Sequence, residues 1–124
     1  MQEVIKKRTK KFAIDCGLLC REIPRDRTFD AYCRQLIRSS ASVGANYRAA
    51  CRAKSNKDFL NKLKIVEEEA DESMYWLEIL MELGNKEAQE LKRLHKEGDE
   101  LVAITVASIK TVRHPIIVNR INRK

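Results

Sequence analysis

The chain reads as an all-α protein, an antiparallel up-down-up-down four-helix bundle, on three observations. Among 124 residues there are only four glycines and two prolines, with 44% apolar and 35% charged residues. That composition suits long helices and argues against a sandwich or barrel. Apolar residues recur at alternating steps of four and three, which aligns them along one helical face. The breaks at Pro24, Ser55 and Gly84 leave four long segments joined by short connections, so successive helices become antiparallel neighbours.

The first helix is expected from near Gln2 to Glu22, with Ile5, Thr9, Phe12, Cys16, Leu19 and Ile23 on its inner face. Pro24 stops it, because the residue before a proline is pushed out of helical geometry, and Arg25 to Thr28 connect onward. Thr28 or Asp30 is the expected cap of the second helix, which runs to about Lys54 and buries Tyr32, Cys33, Leu36, Ile37, Val43 and Tyr47. Ser55 with Asp58 three residues on resembles a capping box, with Asp in place of Glu or Gln. The third helix carries Phe59, Leu63, Val66, Ala70, Ser73, Leu77 and Leu80 on one unbroken stripe. Gly84 is its expected stop and Asn85 the next cap. The fourth helix spans about Lys86 to Arg113, with Leu91, Leu94, Leu101, Ile104 and Ile109 inward, and Pro115 ends it. Residues 1–113 thus form the bundle, and residues 114–124 a basic C-terminal tail.

Leu60, Met74, Trp76 and Met81 lie off the main stripe of the third helix. A helix apolar over so wide an arc needs a second surface to bury against, which points to self-association.

The middle of the second helix is unlike an ordinary bundle stripe. Ser39, Ser40, Ala41, Ser42, Gly44 and Ala45 permit another helix to approach closely, while Arg34, Arg38, Arg48 and Arg52 surround them with positive charge. Residues 29–54 hold five basic residues against one acidic, whereas residues 55–85 hold three against eight. Glu67, Glu68, Glu69, Asp71 and Glu72 fall within six positions and repel one another unless cations lie nearby. The arginines are their natural counterparts, within one bundle or between copies. A head-to-tail contact of helix 2 on helix 3 would close into a ring. Arg34, Arg38, Ser42, Gly44, Ala45, Glu68 and Glu72 are therefore the expected oligomer contacts.

The net charge of +7 invites anionic partners such as RNA or DNA. Candidate phosphate contacts are Lys6, Lys7, Arg8, Lys10 and Lys11 at the start of the chain, Arg48, Arg52 and Lys54 at the end of the second helix, and Arg120, Arg123 and Lys124 in the tail.

Other classes of function find little footing. No segment approaches the roughly 20 apolar residues of a membrane span. Asp15 interrupts the only early apolar run, so no signal-peptide core is expected and the expected location is the cytoplasm. Cys16, Cys20, Cys33 and Cys51 form no CxxC pair; reduced, buried thiols are expected, and no zinc site. Glu68 and Glu72 share a helical face, but neither His95 nor His114 has a Glu three residues earlier, so no di-iron pattern exists and no metal is expected. There is no Gly-rich phosphate loop and no evident nucleophile set, hence no catalytic residue, no cofactor and no enzyme. His95 reads as a partly exposed helix residue, and Tyr75 and Trp76 as packing residues.

The block Gln35-Leu36-Ile37-Arg38-Ser39-Ser40-Ala41-Ser42-Val43-Gly44-Ala45-Asn46, followed by Ser55-x-x-Asp58-Phe59 and Glu67-Glu68-Glu69-Ala70, resembles the bacterial four helix bundle protein family. That family includes proteins encoded in intervening sequences of large-subunit ribosomal RNA genes, and the accessory variability determinant of diversity-generating retroelements looks like a relative. The similarity covers roughly residues 8 to 113. It implies a bundle assembling as a homopentameric ring, with a basic surface that in the retroelement relatives binds nucleic acid and a reverse transcriptase. Many members follow the Asn with Ile-Ala-Glu-Gly; here Asn46 leads into Tyr47-Arg48-Ala49-Ala50, making the end of helix 2 more basic. The resulting expectation is a non-enzymatic homo-oligomeric scaffold, a pentamer by resemblance, that binds nucleic-acid phosphates. The alternative is a protein-interaction or assembly module with no nucleic-acid binding.

Overall fold

A computed structural model describes residues 1–113 as four α-helices: α1 (Gln2–Glu22), α2 (Arg27–Cys51), α3 (Asn56–Leu83) and α4 (Ala88–Arg113). Residues 114–124 lie outside the described residues, and with them the expectations placed on Pro115 and the tail. Each helix packs on its sequence neighbour and α1 closes the ring against α4; the diagonal pairs make no close backbone approach among the described residues. This is the antiparallel up-down-up-down bundle.

Local chemistry sets the ends. Ile23 is extended (φ −78°, ψ 138°) ahead of Pro24, as sterics before proline require. Asp26, rather than Thr28 or Asp30, caps α2: its carboxylate accepts the Phe29 amide at 2.8 Å. The cap stands earlier because α2 begins at Arg27, so Thr28 and Asp30 are already inside the first turn. α2 also stops at Cys51, three residues short of Lys54, and leaves room for Ser55, whose Oγ accepts the Asp58 amide at 3.1 Å. Gly84 ends α3 at φ 79°, a backbone setting that costs a glycine little. Asn85 ties the turn down from both sides, donating to the Leu80 carbonyl and accepting from the Glu87 amide. These two bonds hold residues 85–87 as a turn, so α4 starts at Ala88 rather than Lys86.

The four-three stripes are the core. Phe12, Leu36, Val43, Leu63, Leu77, Leu80, Leu91, Leu94 and Leu101 are each no more than 1% exposed. A partly polar level runs through the core. Ser39 and Ser73 share a buried hydrogen bond at 2.8 Å, and Ser73 also donates to the Glu69 carbonyl. Thr9 and Thr105 each donate to the carbonyl four residues earlier. Every buried side-chain nitrogen and oxygen among the described residues has a partner, so this level avoids the cost of unpaired buried polar groups.

Three packing expectations change. Ile37 is 46% exposed, because a step of one residue from Leu36 turns it off the inward stripe. Ile104 is half-buried, and Gly98 and Thr105 take the inner positions of α4 instead. Gly98 is inward because Met74 and Phe12 crowd it, at 3.0 and 3.6 Å from where a Cβ would stand. The second apolar side of α3 is also largely spent within one chain. α3 packs on both α2 and α4; Leu60, Trp76 and Met81 lie against the core, and Trp76 stacks tilted on Tyr32 with centroids 5.9 Å apart. A helix flanked by two neighbours buries a wide arc without any second copy. Tyr75 alone of this group stays outside, 56% exposed and edge-on to Trp76.

Gly44 faces α1. A Cβ there would stand 3.4 Å from the backbone carbon and oxygen of Thr9 and 3.5 Å from the Lys10 nitrogen. Alanine is therefore expected to fit, with up to about 1 kcal/mol of helix propensity gained. Gly44→Leu is expected to push α1 outward and cost about 1–3 kcal/mol. Urea denaturation of the two variants checks this; equal stability of Gly44→Leu and the parent would show an open surface.

Candidate nucleic-acid interface

The antiparallel pairing of α1 and α2 sets the start of one helix beside the end of the other. Residues 6 to 13 thus lie across from residues 41 to 52. On the outer side of this seam is a groove of about 510 Å³, lined by Lys6, Lys7, Lys10, Ala13, Ala41, Gly44, Ala45, Arg48 and Arg52. Its cations recur at helical spacing, so both rims are basic over about one turn. Its floor is made of three alanines and a glycine, which lets a ligand approach the backbone. The lining carries no carboxylate, imidazole, hydroxyl or thiol side chain.

Lys7, Lys10, Arg48 and Arg52 have no carboxylate at ion-pair distance among the described residues, while Lys6 reaches the exposed Glu3 at 3.1 Å. Five cations around an uncharged floor repel one another, and an anion in the groove would relieve that repulsion.

Not every expected phosphate contact joins them. Arg8 turns to α4, where its guanidinium bonds Glu97 at 2.6 and 3.1 Å and lies 3.9 Å from Glu100. Lys11 pairs with Asp15 at 2.8 Å, and Arg93 of α4 meets the same carboxylate at 2.9 Å. Both belong to the α1–α4 seam because they sit on the other flank of the inward stripe. Lys54 is exposed beyond the end of α2 and does not line the groove. Arg120, Arg123 and Lys124 lie outside the described residues. Ala13 was not singled out in the sequence; its signal is the 6-10-13 spacing beside the core stripe.

The expected oligomer contacts also divide. Arg38 is engaged within its own chain: it donates to Glu69 at 3.2 Å and to Glu72. Glu72 further accepts from the Trp76 indole at 3.2 Å. α2 and α3 are neighbours, so the basic and acidic helices pair inside one bundle. Gly44 meets α1, and Ser42 is half-buried with its carbonyl accepting from Asn46. Ala45 belongs to the groove floor, while Glu68 is exposed and has no ion-pair partner among the described residues. Arg34 lines a second groove with Cys20, Cys33 and Ile37.

Elsewhere, His95 meets the exposed Glu78 at 2.9 Å, as a helix-surface residue would. Among the described residues no three His, Cys, Asp or Glu side chains gather to hold a metal ion, and no helix is long and apolar enough to cross a membrane.

Burial raises the Asp15 carboxyl, but hydrogen bonds from Lys11 and Arg93, with their charge, outweigh it and hold the group below its ordinary value. A depressed carboxyl contributes stability above its unfolded pKa of about 3.9 and loses it as pH falls through the folded value. Urea midpoints are therefore expected to drop between about pH 5 and about pH 2, and to drop less in Asp15→Asn. An identical acid response in parent and variant would remove Asp15 from that role.

The family described as 23S rRNA-intervening sequence protein matches residues 2–107 of the chain. No curated protein matches it. Among solved structures, the chain is similar to a protein with unknown function from the S23 ribosomal protein family of Bacteroides thetaiotaomicron VPI-5482. The two are 32% identical, with 86% of this chain and 99% of that chain covered and a TM-score of 0.76.

Proposed function

Because the chain belongs to the 23S rRNA-intervening sequence protein family, we propose that it is a non-enzymatic, homo-oligomeric helical scaffold that binds nucleic-acid phosphates in the α1–α2 groove. The carrying observation is the convergence of Lys6, Lys7, Lys10, Arg48 and Arg52 on a floor of small apolar residues. Phosphates are recognised by such clusters of fixed positive charge, largely without regard to base sequence. A lining without nucleophile, acid or imidazole supports binding rather than turnover. The family description makes a ribosomal RNA fragment the first probe, and RNA work fits a cytoplasmic setting.

Self-association is supported by Ile14, Leu18 and Ile37, which are 52%, 49% and 46% exposed on α1 and α2. Contiguous exposed apolar groups mark contact surfaces, and Ile14 and Leu18, four residues apart, share one face of α1. The pentamer rests on the resemblance alone. Light scattering at micromolar concentration is expected to report an oligomer, and a monomer would overturn this part of the reading.

For the groove, binding is expected to weaken steeply with salt, log K falling by about 0.9 per phosphate neutralised on a duplex and about 0.7 on a single strand per unit of log salt. Combined Lys10→Gln, Arg48→Gln and Arg52→Gln substitution should weaken binding across all sequences and flatten that slope. Arg8→Gln with Lys11→Gln should change the slope little, because both side chains are engaged by carboxylates. If assembled protein shifts neither RNA nor DNA at low salt, the arginines serve assembly and the protein-interaction reading replaces this one.

A further inference from the structure

Four free cysteines lie among the described residues, and two of them face each other across the α1–α2 seam. Gly44 packs on the backbone of Thr9 and Lys10. About three turns later on α1 and three turns earlier on α2, the same antiparallel register brings Cys20 opposite Cys33. Cys20 Sγ donates to the Cys33 carbonyl at 3.9 Å. Both cysteines line one groove of about 380 Å³ together with Arg21, Arg25, Arg34 and Asp30. Asp30 is paired with Arg25 at 3.0 Å, which leaves Arg21 and Arg34 as the cations there without a carboxylate partner among the described residues. Gly17 borders the same groove, with nothing within 4 Å of where its Cβ would stand, so the approach is open.

The other cysteines lack this setting. Cys16 is fully buried, and burial pushes its thiol up to about 12. Cys51 is half-buried beside Tyr47, at the opposite end of α2. At the paired site, the hydrogen bond from Cys20 outweighs burial and holds the Cys33 thiol below its ordinary value; Asp30 opposes and Arg25 assists. The same hydrogen bond, with burial, holds Cys20 up as the protonated donor. Cys33 is 8% exposed, and a thiol held below its ordinary value beside a groove with two arginines unpaired among the described residues is the more reactive kind of cysteine.

We propose that Cys20 and Cys33 form a dithiol oxidation site, in which a peroxide oxidises Cys33 and Cys20 resolves it to an intramolecular disulfide stapling α1 to α2. Cys33 sulfur attacks one peroxide oxygen and the O–O bond breaks; the departing hydroxide takes up the thiol proton as water. Cys33 is then a sulfenic acid. Cys20 sulfur attacks it, the S–O bond breaks, and the sulfenyl hydroxide leaves with the Cys20 proton as a second water. Two electrons pass from the sulfur pair to the peroxide, and two waters balance the atoms. The contact of the Cys20 sulfur with the Cys33 carbonyl brings the two residues near each other, as a disulfide demands.

The test treats the reduced full-length protein with hydrogen peroxide, blocks remaining thiols by alkylation, and maps peptides without reduction. A Cys20–Cys33 linked peptide is expected first, in a chain that stays single on a non-reducing gel. Cys20→Ser should leave Cys33 as a sulfenic acid that dimedone captures, and Cys33→Ser should yield neither product. The map of the parent protein decides by itself should either variant fold poorly. Earlier oxidation of Cys51, links between two chains, or Cys20 and Cys33 still alkylatable once Cys51 is oxidised would each overturn the proposal.

Discussion

Close antiparallel approach of α1 and α2 is the constraint on which the rest of the molecule depends. It is possible because Gly44 presents nothing large to the backbone of Thr9 and Lys10, where a Cβ would already be in contact at 3.4 Å. Van der Waals contact at that point fixes how far apart the two helices lie and which residues stand across from each other. At a second level, Ser39 and Ser73 hold α2 to α3 with a buried hydrogen bond at 2.8 Å. Larger side chains at either level would separate helices that the Leu-rich layers above and below draw together.

From that register follow two different chemical surfaces on one seam. Towards the start of α1, the lysines of α1 and the arginines at the end of α2 meet over an alanine floor. Towards the α1–α2 turn, the seam instead gathers three arginines around a pair of thiols. Neither arrangement belongs to a single helix. Each needs both helices held at the same spacing, so a change at Gly44 would be felt at both ends.

Charge segregation along the chain is partly resolved inside the bundle. The acidic cluster of α3 is next to basic α2, and Arg38 bridges to Glu69 and Glu72. α1 and α4 are similarly joined through Arg8 with Glu97 and Arg93 with Asp15. Exposed pairs of this kind contribute little to stability individually. Their larger consequence is subtraction: they take Arg8, Lys11 and Arg38 out of the pool of cations available to an outside anion. Lys7, Lys10, Arg48 and Arg52 are among those left, and they line one groove of the α1–α2 face.

The sequence by itself determined the four helices, the breaks between them and nearly all of the core. A four-three spacing of apolar residues encodes which face of a helix is buried, and Pro24, Ser55 and Gly84 act through their own backbone chemistry. The small-residue stretch of α2 was legible for the same reason, as a place of close approach. The sequence could not tell which helix approaches there, nor whether the wide apolar arc of α3 is met by neighbours or by another copy. Periodicity specifies a direction from one helical axis and carries no information about what lies in that direction. Only the tertiary structure decided that Gly44 meets α1, that Arg38 is engaged at home, and that Lys10 and Arg48 share a groove while Arg8 and Lys11 do not. Those outcomes depend on register between helices distant in the chain, which packing of all four sets together.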